Sequence, residues 1–229
     1  MQLVIGNKNY SSWSMRPWVL MKQAGIPFDE IKVRFDSLAP DSQIKRELSR
    51  LSPVGKVPVL LWGDGNQRVV VWDTLAIAET LAELFPAHQL WPEDARARAR
   101  ARSVCAEMHS GFGALRSHCM MNIEASLAEV GQKVLREQPA VQADVDRIVA
   151  MWTELLQAHV GPLLFGHFTI ADAFYAPVVM RFATYAIPVP PPVAAYMAAV
   201  RALPGVAAWI SDALAEDDFL AFEEPYRSR

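Results

Sequence analysis

Cysteine is scarce in this chain. Two residues, Cys105 and Cys119, stand among 229, too few for a disulfide framework and spaced like no CxxC redox or zinc pair. The segment around them reads as helix, away from the motifs described below, so both are expected to be partly buried packing thiols. An excess of charge of one sign is also missing. The formal net charge is −3, which gives no reason to expect nucleic acid or an anionic membrane as partner. Long hydrophobic runs are absent as well: "WVLM" and "VPVLLW" are too short to span a bilayer. The opening "MQLVIGNKN" has neither a basic leader nor a long apolar stretch, and the expectation is a cytoplasmic protein. Hydrophobic residues are plentiful at 52% and charged ones make up 21%, a globular balance with material for a substantial core.

The chain changes character partway along. "QLVIG" reads as a buried strand. "SMRPWVLMKQAG" reads as a helix with Pro17 in its first turn and Gly25 just past its end. "FDEIKVRF" alternates like a half-buried strand, and "PDSQIKRELS" suits a short polar helix. "VPVLLW" and "RVVVW" are β-rich runs joined by "GDGNQ", a hairpin signal. In "DTLAIAETLAELF", Leu75, Ala78, Leu81 and Ala82 share a helical face. This order suits a small sheet with a right-handed βαβ start and an antiparallel hairpin.

Strand signals then stop. Pro86 and Pro92 bracket a linker, 86–92, between a domain of residues 1–85 and an all-helical domain of residues 93–229. "ARARARARSVCAEMHSGFGALRSHCMMNIEASLAEV" is long enough for a helix bent near Gly111 and Gly113. Its alternating arginines spread around the helix rather than forming one stripe, and acids surround them, which predicts a solvated face. "TIADAFYAPVVMRFATY" is the most apolar segment and should be the buried central helix.

Three signals lie at element ends. "NYSSWSMRPW" gathers hydroxyls at the start of the first helix, where Ser12 or Ser14 would serve as a cap. "SPVGKVPVL" brings Val57-Pro58 into a strand, where proline cannot join the ladder, and a cis bond there would leave the Val57 backbone free to meet a ligand. "WDTLAI" places an acid and a hydroxyl at a helix start, which serves equally for capping or for holding a carboxylate.

In this order and spacing the sequence resembles the glutathione S-transferase superfamily. "YSSWSMRPW" is similar to the serine motif of its serine-type classes, especially the zeta-type "SSCSxR". "SPVGKVPVL" resembles the family's cis-proline strand and "DTLAI" its Glu/Gln-Ser-x-x-I segment. "GHFTIADAFYAPVV" resembles its buried capping box, with Thr169 as N-cap and Asp172 three residues on, and "LPGVAAWISDAL" its last-helix pattern. The resemblance implies a thioredoxin-like α/β N-terminal domain and an all-α C-terminal domain, glutathione as co-substrate, no metal, a small-molecule electrophile and a homodimer. By the same resemblance Ser11 meets the glutathione sulfur, with Ser12 as runner-up. Trp13 stands near that sulfur where the zeta-type motif has cysteine. Val57, ahead of Pro58, pairs with the cysteinyl backbone. Asp73 and Thr74 hold the γ-glutamyl end, and Lys45 or Lys56 the glycyl carboxylate. Met108, His109, Phe112 and Arg116 are candidates for the electrophile pocket, core packing being the stronger reading for Met108 and Phe112.

The chemistry asked of the serine is ionisation of a thiol. A free thiol of pKa about 8.5 is only about 3% thiolate at pH 7. Lowering the pKa by about two units makes roughly three quarters of it thiolate, for about 2.7 kcal/mol. One hydrogen bond to a charged group supplies about 1.5–3 kcal/mol. The leading expectation is glutathione transfer to small electrophiles. The alternatives are cis–trans isomerisation of the maleylacetoacetate type and a non-catalytic glutathione- or ligand-binding stress protein. Trp13 brings bulk and no thiol, which favours conjugation of a small aromatic or unsaturated electrophile over isomerisation of a maleyl-type diacid.

Overall fold

The computed structural model describes residues 1–35, 37, 39, 42–63 and 65–228. Pro40 and Asp41 of the expected polar helix and Asp64 of the hairpin signal lie outside them.

Four strands form one sheet in the order β2-β1-β3-β4: β1 (Gln2–Ile5), β2 (Asp29–Lys32), β3 (Val59–Trp62) and β4 (Val69–Trp72). β1 runs parallel to β2 and antiparallel to β3, and β3 and β4 make the hairpin. The parallel pair is joined through α1 (Ser12–Ala24), the crossover that a parallel connection needs. Gly25 ends α1 in the left-handed region at φ 69°, which costs glycine nothing. Pro17 lies inside α1 rather than in its first turn, because the helix begins at Ser12. α2 (Gln43–Leu51) and α3 (Thr74–Leu84) complete the N-terminal domain. The buried face of α3 centres on Ile77, Ala78 and Leu81; Leu75 and Ala82 are only half-buried.

The remainder is helical: α4 (Ala95–Ser110), α5 (Gly113–His118), α6 (Ala128–Glu137), α7 (Pro139–His159), α8 (Ile170–Thr184), α9 (Pro191–Ala202) and α10 (Pro204–Ala215). The expected bend falls at Gly111 and Phe112. Residues 119–127, expected as helix, are instead a loop. That loop is held by side-chain acceptors in place of helical carbonyls: the Asn9 amide oxygen accepts from the N–H groups of Ile123 at 2.7 Å and Glu124 at 2.9 Å.

α8 is central, and every residue in it but Ala183 is buried. Thr169 and Asp172 form its reciprocal capping box. The Asp172 carboxylate accepts from the N–H of Thr169 at 2.9 Å and of Leu164 at 3.1 Å. α1 packs on α8 and α10, and Leu90 in the connecting segment accepts from Ile170 N–H at 2.9 Å. The two domains therefore share one apolar core, which runs from Leu3 and Met15 to Trp152 and Trp209. Both cysteines are fully buried free thiols. Burial pushes each thiol up, Cys119 to about 11, and Cys105 lies within the field of Arg16 on α1, closer to the serine motif than sequence separation suggested. Among the described residues no single helix is long and apolar enough to cross a membrane; one bent pair, α9 and α10, meets the criterion by length and composition only. The arginines of α4 face solvent and acids, with Arg100 on Glu154 and Arg102 on Glu79.

Candidate functional site

β1 hands the chain to a turn in which Ser11 N–H donates to Asn7 O at 2.8 Å. That turn starts α1 one residue after Ser11, so Ser11 is the N-cap rather than Ser12 or Ser14. Its Oγ accepts from Ser14 N–H at 3.4 Å and donates to Ser14 Oγ at 2.7 Å. Ser14 Oγ in turn accepts from Gly6 N–H at 3.1 Å, which ties the cap to the end of β1. Ser12 occupies the first helical position. Its Oγ accepts from Arg181 Nη2 on α8 at 3.2 Å, and its own proton finds no acceptor among the described residues.

Ser11 and Ser12 both border a cavity of about 310 Å³, which Lys45, Lys56, Val57, Arg116 and Arg181 also border. A second cavity, of about 440 Å³, adjoins it and shares Trp13, Lys56, Val57 and Arg116; Val54, Pro58, Trp72, Asp73 and Thr74 complete its wall. Each lies within the range for small-molecule pockets, and the four shared residues make them neighbours. Val57-Pro58 is cis, and Val57 precedes the first paired residue of β3. Lys45 Nζ donates to Gly55 O at 3.3 Å, while Lys56 is exposed at the boundary of the two cavities. The first cavity is bordered by four cationic side chains and one carboxylate, Glu223, an arrangement suited to anions.

Trp13 divides the two spaces. The Arg16 guanidinium lies 4.2 Å and that of Arg116 4.8 Å from its ring centroid, within cation–π range. Arg16 is almost wholly buried, between Trp13 and Phe174 of α8. Its Nε and Nη1 make no hydrogen bond among the described residues. Burial, then the charges of Arg116 and Arg181, pushes its pKa down to about 9, so it stays a cation at neutral pH. It belongs to the domain interface and is not free to meet a substrate.

The four helical candidates separate. Met108 and Phe112 are buried in the core and border neither cavity, in keeping with the packing reading. His109 turns toward α3 rather than the first cavity: its Nε2 is 3.3 Å from Asp73 Oδ2 and its Nδ1 is 3.5 Å from Thr74 Oγ1. Burial lowers its pKa against the opposing pull of Asp73, and the charges of Arg16 and Arg116 add to the lowering. Arg116 alone borders both cavities, because the break at Gly111 and Phe112 turns α5 back over Trp13. Asp73 sits at φ 76° and caps α3, accepting from Leu75 N–H at 2.9 Å.

Several residues at the site carry no local signal in the sequence. Arg181 lies in the most apolar helix, and Met120 and Met121 in the loop misread as helix. Phe222 and Glu223 belong to a C-terminal strap. The strap is fastened where Glu224 accepts from Tyr10 Oη and Asn122 Nδ2, both at 2.8 Å, and pairs with Arg227.

The comparisons with known proteins agree with this construction. A model of the glutathione S-transferase N-terminal domain matches residues 10–84, and one of the C-terminal domain matches residues 93–212. The chain is 27% identical over 186 residues to glutathione S-transferase 1 of Dianthus caryophyllus, covering 80% of this chain and 78% of that protein. It is 32% identical over 96 residues to glutathione S-transferase T1 of Arabidopsis thaliana, covering 41% of this chain and 36% of that one. Among solved structures it is similar to a glutathione transferase homolog from Burkholderia GL BGR1 with bound glutathione. That likeness has 24% identity and a TM-score of 0.67, over 94% of this chain and 98% of that one. It is also similar to the ternary complex of BphK, a bacterial GST, at 19% identity and a TM-score of 0.66 over 93% and 99%. These structural likenesses establish the fold, a thioredoxin-like domain followed by a helical one. Because the two family models together span most of the sequence, with the serine turn, the cis-proline strand and the capped α3 inside the first, the chain belongs to the glutathione S-transferase family.

Proposed function

We propose that this protein is a serine-type glutathione transferase, which ionises the thiol of glutathione and directs the sulfur to a small electrophile. One observation carries the reading: two serine hydroxyls at the start of α1 border a cavity with Val57, and the neighbouring cavity, which shares Trp13, Lys56, Val57 and Arg116 with it, is bordered by Pro58 and the start of α3. Val57 pairs with the cysteinyl backbone of glutathione. Asp73 and Thr74 take the γ-glutamyl end at the α3 N-terminus, where free N–H groups favour a carboxylate. Lys45 and Lys56 take the glycyl carboxylate. The same reading assigns residues 1–85 to glutathione, 93–229 to the electrophile and 86–92 to the connection.

Between the two serines, the hydrogen bonding favours Ser12 as the donor to sulfur. Ser11 is occupied with Ser14 as cap, whereas Ser12 accepts from a cation and has its proton to give. The thiol proton passes to solvent, the sulfur lone pair forms the new carbon–sulfur bond, and the electrophile either expels its leaving group or takes up a proton at the neighbouring carbon. Positioning of the electrophile beside sulfur supplies the rest of the acceleration. The exposed Trp62 and Val69, cross-strand partners on one face of the β3–β4 hairpin, support a homodimer with a buried apolar interface. A cytoplasmic setting belongs to the same proposal.

One observation favours the isomerase alternative: Arg116 borders both cavities with no carboxylate partner among the described residues and suits a diacid that glutathione attacks and then leaves. Trp13, in place of a thiol, weighs against it. The test compares kcat/KM for a small aromatic or unsaturated electrophile and for a maleyl-type diacid on one preparation, for the parent, Ser12→Ala and Ser11→Ala. Conjugation is expected to dominate, and Ser12→Ala to lower it about 25-fold at pH 7 through the lost thiolate. Ser11→Ala should mainly cost stability, about 1 kcal/mol for a cap. Strong diacid turnover without conjugation reverses the ranking. Glutathione binding with neither reaction favours a non-catalytic binding protein.

A further inference from the structure

Arg181 is a cation in an unusual place. It rises from α8, the most apolar helix, and is almost fully buried. Nη1 donates to the carbonyl oxygens of Cys119 and of Arg116, and Nη2 to Ser12 Oγ. All three acceptors are neutral, and among the described residues no carboxylate lies within ion-pair distance of it. The groups that face it from the surrounding elements do not repair this. Arg16 on α1 and Arg116 on α5 repel it. Cys119 in the loop and Tyr185 after α8 are both pushed up by burial, so they are neutral. Glu223 in the strap attracts it only at longer range and is itself raised by burial. Burial pushes Arg181 down to about 10, so it remains charged at neutral pH. A buried charge without a counter-charge is costly, and an anion placed beside it is correspondingly favoured.

We propose that Arg181 is a positioning residue of the thiol site: it holds the Ser12 hydroxyl with its proton toward the cavity, and the glutathione sulfur anion, bound to that proton, completes its charge. The inference rests on the proposed role of Ser12. It assigns thiol ionisation to both domains together, since the helical domain supplies the cation and the thioredoxin-like domain the hydroxyl. A hydroxyl that accepts from a guanidinium is a better donor, because hydrogen bonds in a chain polarise one another.

The test titrates the ultraviolet absorbance of the thiolate of bound glutathione in the parent, Arg181→Gln, Arg181→Lys, Ser12→Ala and the double variant. The affinity of S-methylglutathione, which has no ionisable thiol, is measured alongside. Arg181→Gln is expected to raise the bound-thiol pKa by about one unit, a tenfold loss of thiolate in acid solution, and Arg181→Lys to fall between it and the parent. S-methylglutathione should bind each variant within about twofold of the parent, since its thioether offers no sulfur anion to the cation. The double variant should titrate like Ser12→Ala alone, the sign of coupled residues. An unchanged titration in folded Arg181→Gln or Arg181→Lys overturns the proposal. So do additive shifts in the double variant, a parallel loss of S-methylglutathione binding, or an effect confined to the KM of a carboxylated electrophile. If the parent does not lower the thiol pKa, or Ser12→Ala leaves it lowered, the assignment of Ser12 fails first, and that outcome is read without any Arg181 variant.

Discussion

Replacing Asp172 by alanine lowers the melting temperature by roughly 6–12 °C while leaving the chemistry of the folded fraction in place. The side chain is completely buried and accepts from the backbone of Leu164 and Thr169 and from the Thr169 hydroxyl. Alanine leaves these donors without a partner at the start of the central helix. Each orphaned buried donor costs about 1–3 kcal/mol, offset in part by relief of a buried carboxylate, for a net loss of about 3 kcal/mol. In a chain of this size each kcal/mol corresponds to about 2–4 °C. Burial pushes the Asp172 carboxyl up to about 6, against the opposing hydrogen bonds of Thr169 and Leu164. The folded protein thus holds the protonated form more tightly than the unfolded chain does. This contribution is fully present below about pH 4 and is lost as pH rises through 6. The stability gap between parent and Asp172→Ala, followed by thermal melts, should therefore narrow from pH 4 to pH 7. A variant that melts like the parent but loses activity contradicts this assignment.

Replacing Glu224 by alanine is expected to release the C-terminal strap from the cavity with a much smaller effect on global melting. The carboxylate is nearly inaccessible and joins Tyr10, Asn122 and Arg227. Losing charge-assisted bonds of this kind removes about 3 kcal/mol from the cost of opening the strap. Backbone hydrogen exchange at Glu223 and Glu224, whose N–H groups donate within the strap, should accelerate about 100-fold. The KM of the electrophile should rise more than that of glutathione, because Phe222 and Glu223 come from the part of the chain, residues 93–229, proposed to hold the electrophile. Burial pushes the Glu224 carboxyl up, but hydrogen bonds from Arg227, Tyr10 and Asn122 outweigh it and hold it below the usual range. Its contribution is therefore present above about pH 4.3 and lost as pH falls through its lower folded value. Protection of these amides in the parent, taken relative to their intrinsic exchange at each pH, should fall in acid, whereas Glu224→Ala should lack that step. Unchanged exchange in the variant shows that other ties hold the strap.

Local features were legible and distant pairings were not. Gly25, the Val57-Pro58 segment, the breaks at Gly111 and Gly113 and the Thr169–Asp172 box each act within a few residues of themselves, so their sequence spacing is their structure. The hydroxyl cluster marks the right place in the sequence but not the capping residue: the turn from Asn7 starts α1 early and gives the cap to Ser11. Arg181 was passed over because an apolar helix gives no periodic mark to a buried cation that reaches residue 12. The loop of residues 119–127 has apolar and polar residues at nearly helical spacing. Asn9, more than 110 positions away, takes the N–H groups of Ile123 and Glu124, and Thr184 takes that of Leu127, in place of carbonyls within a helix. The same separation hides the clamp between Tyr10 and Glu224.

The measurement that bears most directly on the function is the titration of glutathione bound to the unaltered protein, followed by thiolate absorbance across pH 5 to 9. The account predicts saturable binding and a midpoint about two units below the free thiol's value of about 8.5. Saturable binding with the midpoint left at the free value contradicts it.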